Sequence, residues 1–274
     1  VVDLLCPVRE CGEILARSGR TLLCPRRHSF DVARSGYINL LQPQDRRSKS
    51  PGDSPAAVAA RHRFHAAGHE EPLVRMLLEM IATLPLPAHP AVLDVGCGDG
   101  YHLRALAAAR EIDSHGLDLS VSAVDLAARL APGALWVVAN ADRFLPYAPG
   151  SFGLVLSLTA RMNPPELRRV LAPEGRALVA VPGADDLVEL RQAVLGEGRL
   201  RDRAERTVAD FAGDFELESH RTVRYPVRLD AAGVVDLLSL TYREARDSRR
   251  ERAAALDGLD VTLSRDLLVF RPRA

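Results

Sequence analysis

Lysine is almost missing from this 274-residue chain: Lys49 stands alone among 36 basic residues, and 36 acidic residues bring the formal net charge to zero. A nucleic-acid role finds no support in total charge and has to rest on a local patch. No apolar run approaches the roughly 18 residues of a membrane-spanning helix, and the first residues lack the basic-then-apolar pattern of a secretory signal. The expectation is a soluble, cytoplasmic protein with no membrane partner. Internal repeats and low-complexity tracts are absent, which excludes a solenoid. Cysteine is scarce, four in all, yet Cys6, Cys11 and Cys24 crowd one end. With 47% hydrophobic and 26% charged residues, the length suits one large α/β domain with a small appendage.

What is present is most informative at residues 92–100, VLDVGCGDG, where an apolar run ends in Asp94 and enters Gly96, Gly98 and Gly100. Glycines permit positive φ and close backbone approach to a ligand, and the helix that follows points its first amides at any carboxylate or phosphate placed there. About 20 residues beyond the loop, HGLDLS at 115–120 reads as a strand closing on Asp118, where an acid can bind both ribose hydroxyls. LWVVAN at 135–140 carries Asn140 to the end of a third apolar run, and SFGLVLSL at 151–158 reads as a fourth strand.

These elements resemble the class I S-adenosylmethionine methyltransferases. A dinucleotide dehydrogenase needs a third glycine three residues after the second, whereas Gly98 is followed by Asp99, Gly100 and Tyr101. The G-x-G-x-G spacing suits a methionine moiety better than a pyrophosphate. The resemblance implies an α/β, Rossmann-like fold with a mostly parallel, seven-stranded sheet. It gives Asp94 to the loop or the cofactor's amino group, Asp118 with Leu119 to the ribose, and Asn140 with Ala141 to the adenine edge. Asp99 is a contact for the methionine end or a helix-start cap, Ser157 lies at the close of the fourth strand, and His69 is a cofactor contact or a helix-packing histidine.

Near the start, Cys6 and Cys11 stand in CPVREC and Cys24 and His28 in CPRRH, with Ser18, Gly19 and Arg20 between them to turn a hairpin. Two close pairs of soft or borderline ligands fit tetrahedral zinc. So small a module buries little core, and a metal would supply the missing folding energy. Buried cysteines beside a surface histidine are the alternative. A disulfide would leave one of the three thiols unpaired. Residues 1–50 hold nine basic and five acidic side chains, an excess of four positive charges that fits RNA contact or an ordinary solvated face.

The whole chain resembles the 23S ribosomal RNA guanine-N1 methyltransferases, a family that includes enzymes protecting macrolide producers. The resemblance is carried by the Cys/Cys/Cys/His set joined to HSFDVARSGYINLL (28–41), by PGDS (51–54), by RHRFHAAGHEEPL (61–73), by the glycine loop, and by NPPELRRVLAPEGRALVAVPG (163–183). It implies a zinc module that recognises an rRNA hairpin, a methyltransferase domain acting on an exposed guanine, S-adenosyl-L-methionine and Zn2+ as cofactors, and a link to antibiotic resistance. Four departures cluster where acceptor and methyl group should meet. Glu70 replaces a Tyr beside the cofactor, Asp186 a frequent His, and Ala160-Arg161 an Ala-Pro, while LTYR at 240–243 stands for a stretch bearing Trp. A member recruited to a small heteroaromatic metabolite is therefore the alternative, and a non-catalytic RNA-binding module stands behind both. Methylation at guanine N1 also removes a proton, for which Glu70, Asp186 and Tyr242 are the candidate bases. A homodimer remains an option.

The expected organisation is a zinc module over 1–41, a polar linker over 42–55 whose Asp53 or Ser54 caps the next helix, and a methyltransferase domain over 56–274. Residues 56–84 read as helical, 186–195 and 231–240 as helices, and 196–206 as an exposed helix or loose segment. Residues 215–227 and 261–271 should pair antiparallel at the end of the sheet.

Overall fold

A computed structural model describes residues 2–45, 51–196, 198, 200, 202–241 and 247–273. The first strands, β1 (Ala16–Ser18), β2 (Thr21–Leu23) and β3 (Ser29–Asp31), form a three-stranded antiparallel sheet. Its first turn falls at residues 18–21, as the hairpin reading requires. The next strand, β4 (Ile38–Asn39), leaves this small sheet and pairs in parallel with an edge of the large one.

Two helices follow where a single helical stretch over 56–84 is expected. Helix α1 (Pro55–Ala66) starts at Ser54, whose hydroxyl accepts from the Ala57 amide at 3.2 Å, with proline at the first helical position. Helix α2 (Glu71–Ala82) begins anew because Pro72 has no amide to give Gly68 and would press its ring on that carbonyl in a continuous helix. Gly68 takes the break at φ +77°.

Strand and helix then alternate: β5 (Ala91–Val95), α3 (Tyr101–Ala109), β6 (Asp113–Asp118), α4 (Val121–Leu130), β7 (Leu135–Val138), β8 (Phe152–Leu158), α5 (Pro164–Val170) and β9 (Leu171–Pro182). After α6 (Val188–Leu195) and α7 (Ala204–Phe211) come β10 (Phe215–Asp230), α8 (Ala231–Thr241), α9 (Asp247–Ala254) and β11 (Gly258–Pro272). The large sheet runs β10-β11-β9-β8-β5-β6-β7-β4. The seven expected strands are thus joined by an eighth. Only β11 runs against its neighbours, pairing antiparallel with both β9 and β10. In the 196–206 segment, residues 204–206 open α7, and residues 197, 199 and 201 lie outside the described set.

The chain moves outward from β5 to β6 and β7, then crosses back to β8 and β9. Such a reversal leaves a crevice at the carboxyl ends of β5 and β8, the usual ligand position in an open α/β sheet. The strands are buried on both faces, with Val92, Leu93, Leu154, Val155, Leu178 and Val179 at 0–1% exposure. The module is no separate bead. Leu4, Leu15, Leu22, Val32, Ile38 and Leu40 join one continuous apolar cluster with Val137, Leu145 and Tyr147 of the large domain, and Leu40 donates its amide to Val138 O at 2.9 Å. Among the described residues, no helix is long and apolar enough to cross a membrane.

Candidate active site and metal centre

The turn after β5 is as tight as its glycines suggest. Gly96, Gly98 and Gly100 all have positive φ, and a Cβ on Gly96 would lie 2.3 Å from the Ala160 methyl. A Cβ on Gly100 would come within 2.5 Å of Trp136. Side chains are therefore excluded at Gly96 and Gly100 by packing as well as by φ. Asp118, at the end of β6, accepts from the Gly98 amide at 3.0 Å and the Ser120 amide at 2.7 Å. One carboxylate thereby ties the glycine loop to the start of α4, while burial pushes its pKa above the usual range. Asp94 is buried beneath it; burial, then the charges of Asp118 and Asp99, push its pKa up to about 7.

The far wall comes from the linker. Asp53 O accepts from the Ser120 hydroxyl at 2.8 Å, and the Asp53 carboxylate pairs with Arg61 at 2.8 Å. Asn140 accepts from the Asp142 amide at 3.1 Å and donates to Asp45 O at 2.9 Å. Leu119 and Ala141 are partly buried beside these turns. The Ser157 hydroxyl is buried with no hydrogen-bond partner among the described residues. A loop with three glycines at positive φ, an acid and an amide at successive strand ends, and an orphaned hydroxyl fit S-adenosylmethionine, which offers a carboxylate, a ribose diol and an adenine edge.

A second assembly escapes sequence reading. Asp99, inside the glycine loop, is fully engaged: Oδ2 lies 2.9 Å from His62 Nδ1 and Oδ1 lies 3.1 Å from His65 Nδ1. The His65 Nε2 in turn meets Glu70 at 3.2 Å, and Glu70 meets His102 Nε2 at 3.2 Å. Tyr101 stacks on His65 with ring centroids 4.2 Å apart. Asp99 and Glu70 are therefore partners of histidines rather than free carboxylates. The spacing that places His62 and His65 three apart on one helix face was visible, but their shared partner Asp99, 37 and 34 residues on, was not.

The cluster predicts a pH window. Burial opposes the charged form of His65, but its bonds to Asp99 and Glu70 outweigh that and raise its pKa above the ordinary 6.5. Burial would raise Glu70 and Asp99, yet the histidines hold Glu70 well below 4.5 and Asp99 below 3.8. The carboxylates stabilise the fold fully above their unfolded values and lose this as pH falls through the folded ones; His65 contributes fully below 6.5 and loses it as pH rises through its raised value. Cluster stabilisation thus peaks between pH 4.5 and 6.5. The difference in melting temperature between the wild type and His65→Gln should be largest in that window and shrink on both sides; a pH-independent difference would contradict it.

At the other end of the chain the four predicted ligands converge. The thiols of Cys6, Cys11 and Cys24 and a ring nitrogen of His28 all lie within 4.8 Å of one another. Cys11 and Cys24 sulfurs are 3.8 Å apart, close to the edge of a tetrahedron built on Zn–S bonds of about 2.3 Å. His28 Nδ1 lies 3.4 Å from Cys6 Sγ and 3.3 Å from Cys24 Sγ. The donor set fits zinc.

Three further residues singled out by the sequence have partners of their own. Asp186 is buried in an ion pair with Arg265 and accepts from the Ser264 amide at 3.0 Å, so its carboxylate is committed. His69 turns away from the histidine cluster and packs on Phe64, with centroids 4.7 Å apart. Arg161 is exposed and pairs with Asp142 at 3.2 Å. Tyr242 lies outside the described residues.

Two known families match the chain. A zinc-ribbon family described as RlmA, N-terminal matches residues 4–49, and a family described as Methyltransferase domain matches residues 92–179. The 23S rRNA (guanine(748)-N(1))-methyltransferase of Streptomyces fradiae is 39% identical over 276 residues, covering 98% of this chain and 96% of that one. The chain belongs to the 23S rRNA guanine-N1 methyltransferase family. It is an S-adenosylmethionine-dependent methyltransferase with an N-terminal zinc ribbon. A malonyl-[acyl-carrier protein] O-methyltransferase of Halorhodospira halophila is 31% identical over 248 residues, 80% of this chain and 79% of that protein. Among solved structures, the YcgJ protein of Bacillus subtilis superposes with a TM-score of 0.51 at 19% identity, over 73% of this chain and 98% of its own, which bears on the fold alone.

Proposed function

We propose that this protein methylates N1 of a guanine in a 23S rRNA hairpin, working in the cytoplasm. The observation that carries the reading is the physical union of the zinc ribbon with the cofactor site: β4 extends the sheet beside β7, and the linker that follows supplies Asp45 O to Asn140 and Asp53 O to Ser120. An RNA element held by the module is thereby fixed relative to the crevice, and positioning supplies much of the rate in an in-line displacement.

In this reading Asp118 holds the ribose diol, Asn140 with Ala141 the adenine edge, and the loop of Gly96, Gly98 and Gly100 the methionine end, while Ser157 closes the crevice floor. Asp94, its pKa pushed up to about 7, serves the loop as a hydrogen-bonding group more than as a fixed charge. The bound cofactor supplies an electrophilic methyl. Cys6, Cys11, Cys24 and His28 hold zinc for the fold rather than for chemistry, since four protein ligands leave no open position. Glu70 and Asp186 are consumed by ion pairs, which argues against either as the base that takes the N1 proton.

The reading is tested by incubating the protein and labelled cofactor with 23S rRNA free of modification, then mapping primer-extension arrests. One arrest at a hairpin guanine is expected, because N1 methylation blocks base pairing. Absence of label in RNA, with cofactor and zinc both bound, would overturn it.

A further inference from the structure

The methionine end of S-adenosylmethionine carries a carboxylate, yet the glycine loop has few amides left to receive it. The Gly96 and Cys97 amides donate to Leu117 O at 2.7 and 3.1 Å, the Gly98 amide to Asp118 at 3.0 Å, and the Gly100 amide to Cys97 O at 2.9 Å. The surroundings are also acidic. Asp94 and Asp99 lie buried within or beneath the turn, and Asp118 closes the neighbouring strand. A further anion brought to this turn is repelled unless a cation meets it.

Arg61 is placed to be that cation. It stands on the face of α1 that carries His62 and His65, whose rings are fastened to Asp99 inside the loop. Its aliphatic stem lies over Gly98, where a Cβ would stand 3.4 Å from Arg61 Cδ and 3.8 Å from Nε. The far end is held by Asp53, with Nη2 2.8 Å from Oδ2. Asp53 is itself fixed: its carbonyl accepts from the Ser120 hydroxyl at 2.8 Å, and a Cβ on neighbouring Gly52 would lie 2.5 Å from the Ser120 backbone. Loop, Asp118, Ser120, residues 52–53 and Arg61 thus close a ring at the loop end of the crevice. The charge of Arg61 reaches the acid in that ring. Burial raises the Asp118 pKa and Asp53 raises it further, whereas Arg61 lowers it. Asp53 is the hydrogen-bond partner of Arg61 among the described residues, which leaves most of the guanidinium N–H groups for a ligand. At 26% exposure the side chain remains accessible.

We infer that Arg61 receives the carboxylate of S-adenosylmethionine over Gly98, and that Asp53 holds the guanidinium in place for it. The inference rests on the cofactor lying with its methionine end along the glycine loop, and it holds whichever acceptor is methylated. Guanidinium and carboxylate form charge-assisted hydrogen bonds that are frequently bidentate, so the contact is measurable by removing either partner.

Isothermal titration of the zinc-loaded full chain compares three ligands. They are S-adenosylmethionine, its decarboxylated form, which lacks only the carboxylate, and 5′-methylthioadenosine, which lacks the whole amino-acid chain. The wild type should bind S-adenosylmethionine about 30-fold more tightly than the decarboxylated form, and Arg61→Gln should reduce that ratio to about threefold. Arg61→Lys keeps the charge without the planar fork and should fall between them. Affinity for 5′-methylthioadenosine should change by less than about threefold in either variant, because the adenosine end is untouched. An unchanged ratio in Arg61→Gln, whether or not its KM for rRNA rises, would overturn the assignment and leave the cofactor site standing. Equal loss of all three ligands in both variants would also overturn it, since Arg61 would then support residues 52–53 rather than the carboxylate. A wild type that binds none of the three would overturn the placing of the cofactor itself.

Discussion

Removal of zinc by a chelator, or replacement of Cys24 by serine, is expected to abolish rRNA methylation and to weaken cofactor binding as well. The module's buried apolar side chains, Leu4, Leu15, Leu22 and Leu40 among them, pack against the large domain rather than forming a core of their own, and its three short strands cannot stand alone. Binding of a structural zinc is worth about 10–16 kcal/mol in comparable small modules, as much as the whole stability of an ordinary domain. Its loss should unfold residues 4–31 at least. The damage spreads because β4 pairs with β7, Leu5 donates to Pro146 O at 3.0 Å, and Asp45 O occupies the Asn140 amide. We expect a cofactor Kd raised by roughly tenfold, about 1.4 kcal/mol, together with complete loss of transfer to rRNA. Metal content by mass spectrometry, cofactor titration and the labelled-methyl assay, run on the same preparation, check this. Unchanged cofactor affinity in a zinc-free protein would show that the two sites are independent.

Asp118→Ala should cost the cofactor about 100-fold in affinity. The substitution leaves the Gly98 and Ser120 amides without their acceptor and removes the acid assigned to the ribose. Hydrogen bonds to a charged group contribute roughly 1.5–3 kcal/mol each, and two of them lost to the loop and the ribose amount to about 3 kcal/mol in binding. Asp118→Asn, which keeps one acceptor oxygen, should fall between the wild type and alanine. Isothermal titration with the cofactor, alongside circular dichroism to confirm the fold, separates this from unfolding. A folded Asp118→Ala protein with wild-type affinity would remove Asp118 from the site.

Much of this was legible in the residues themselves. The glycine loop, the acid closing β6 and the polar residue after β7 are set by short-range constraints, since a strand end, a turn and a helix start lie within a few positions of each other. The metal ligands were legible because zinc demands side chains in close pairs. What stayed hidden depends on long-range packing. Nothing in RHRFHAAGHE reveals that His65 sits between Asp99 and Glu70, or that neighbouring Phe64 turns to the opposite side of α1. The split of residues 56–84 into two helices was signalled by Gly68 and Pro72, but the apolar periodicity of α2 masked it. The eighth strand escaped notice because two residues, Ile38–Asn39, carry no period of their own and become a strand only by lying beside β7.

The nucleoside that carries the methyl group distinguishes an rRNA guanine-N1 methyltransferase from an enzyme of small heteroaromatic compounds. Unmodified 23S rRNA treated with the zinc-loaded protein and labelled S-adenosylmethionine can be digested to nucleosides and resolved by liquid chromatography with mass detection. The expected result is a single labelled product that co-elutes with 1-methylguanosine, near one methyl per rRNA molecule and absent with Asp118→Ala. Label in any other nucleoside, or none in RNA while the protein binds its cofactor and transfers methyl to a small heteroaromatic compound, would contradict it.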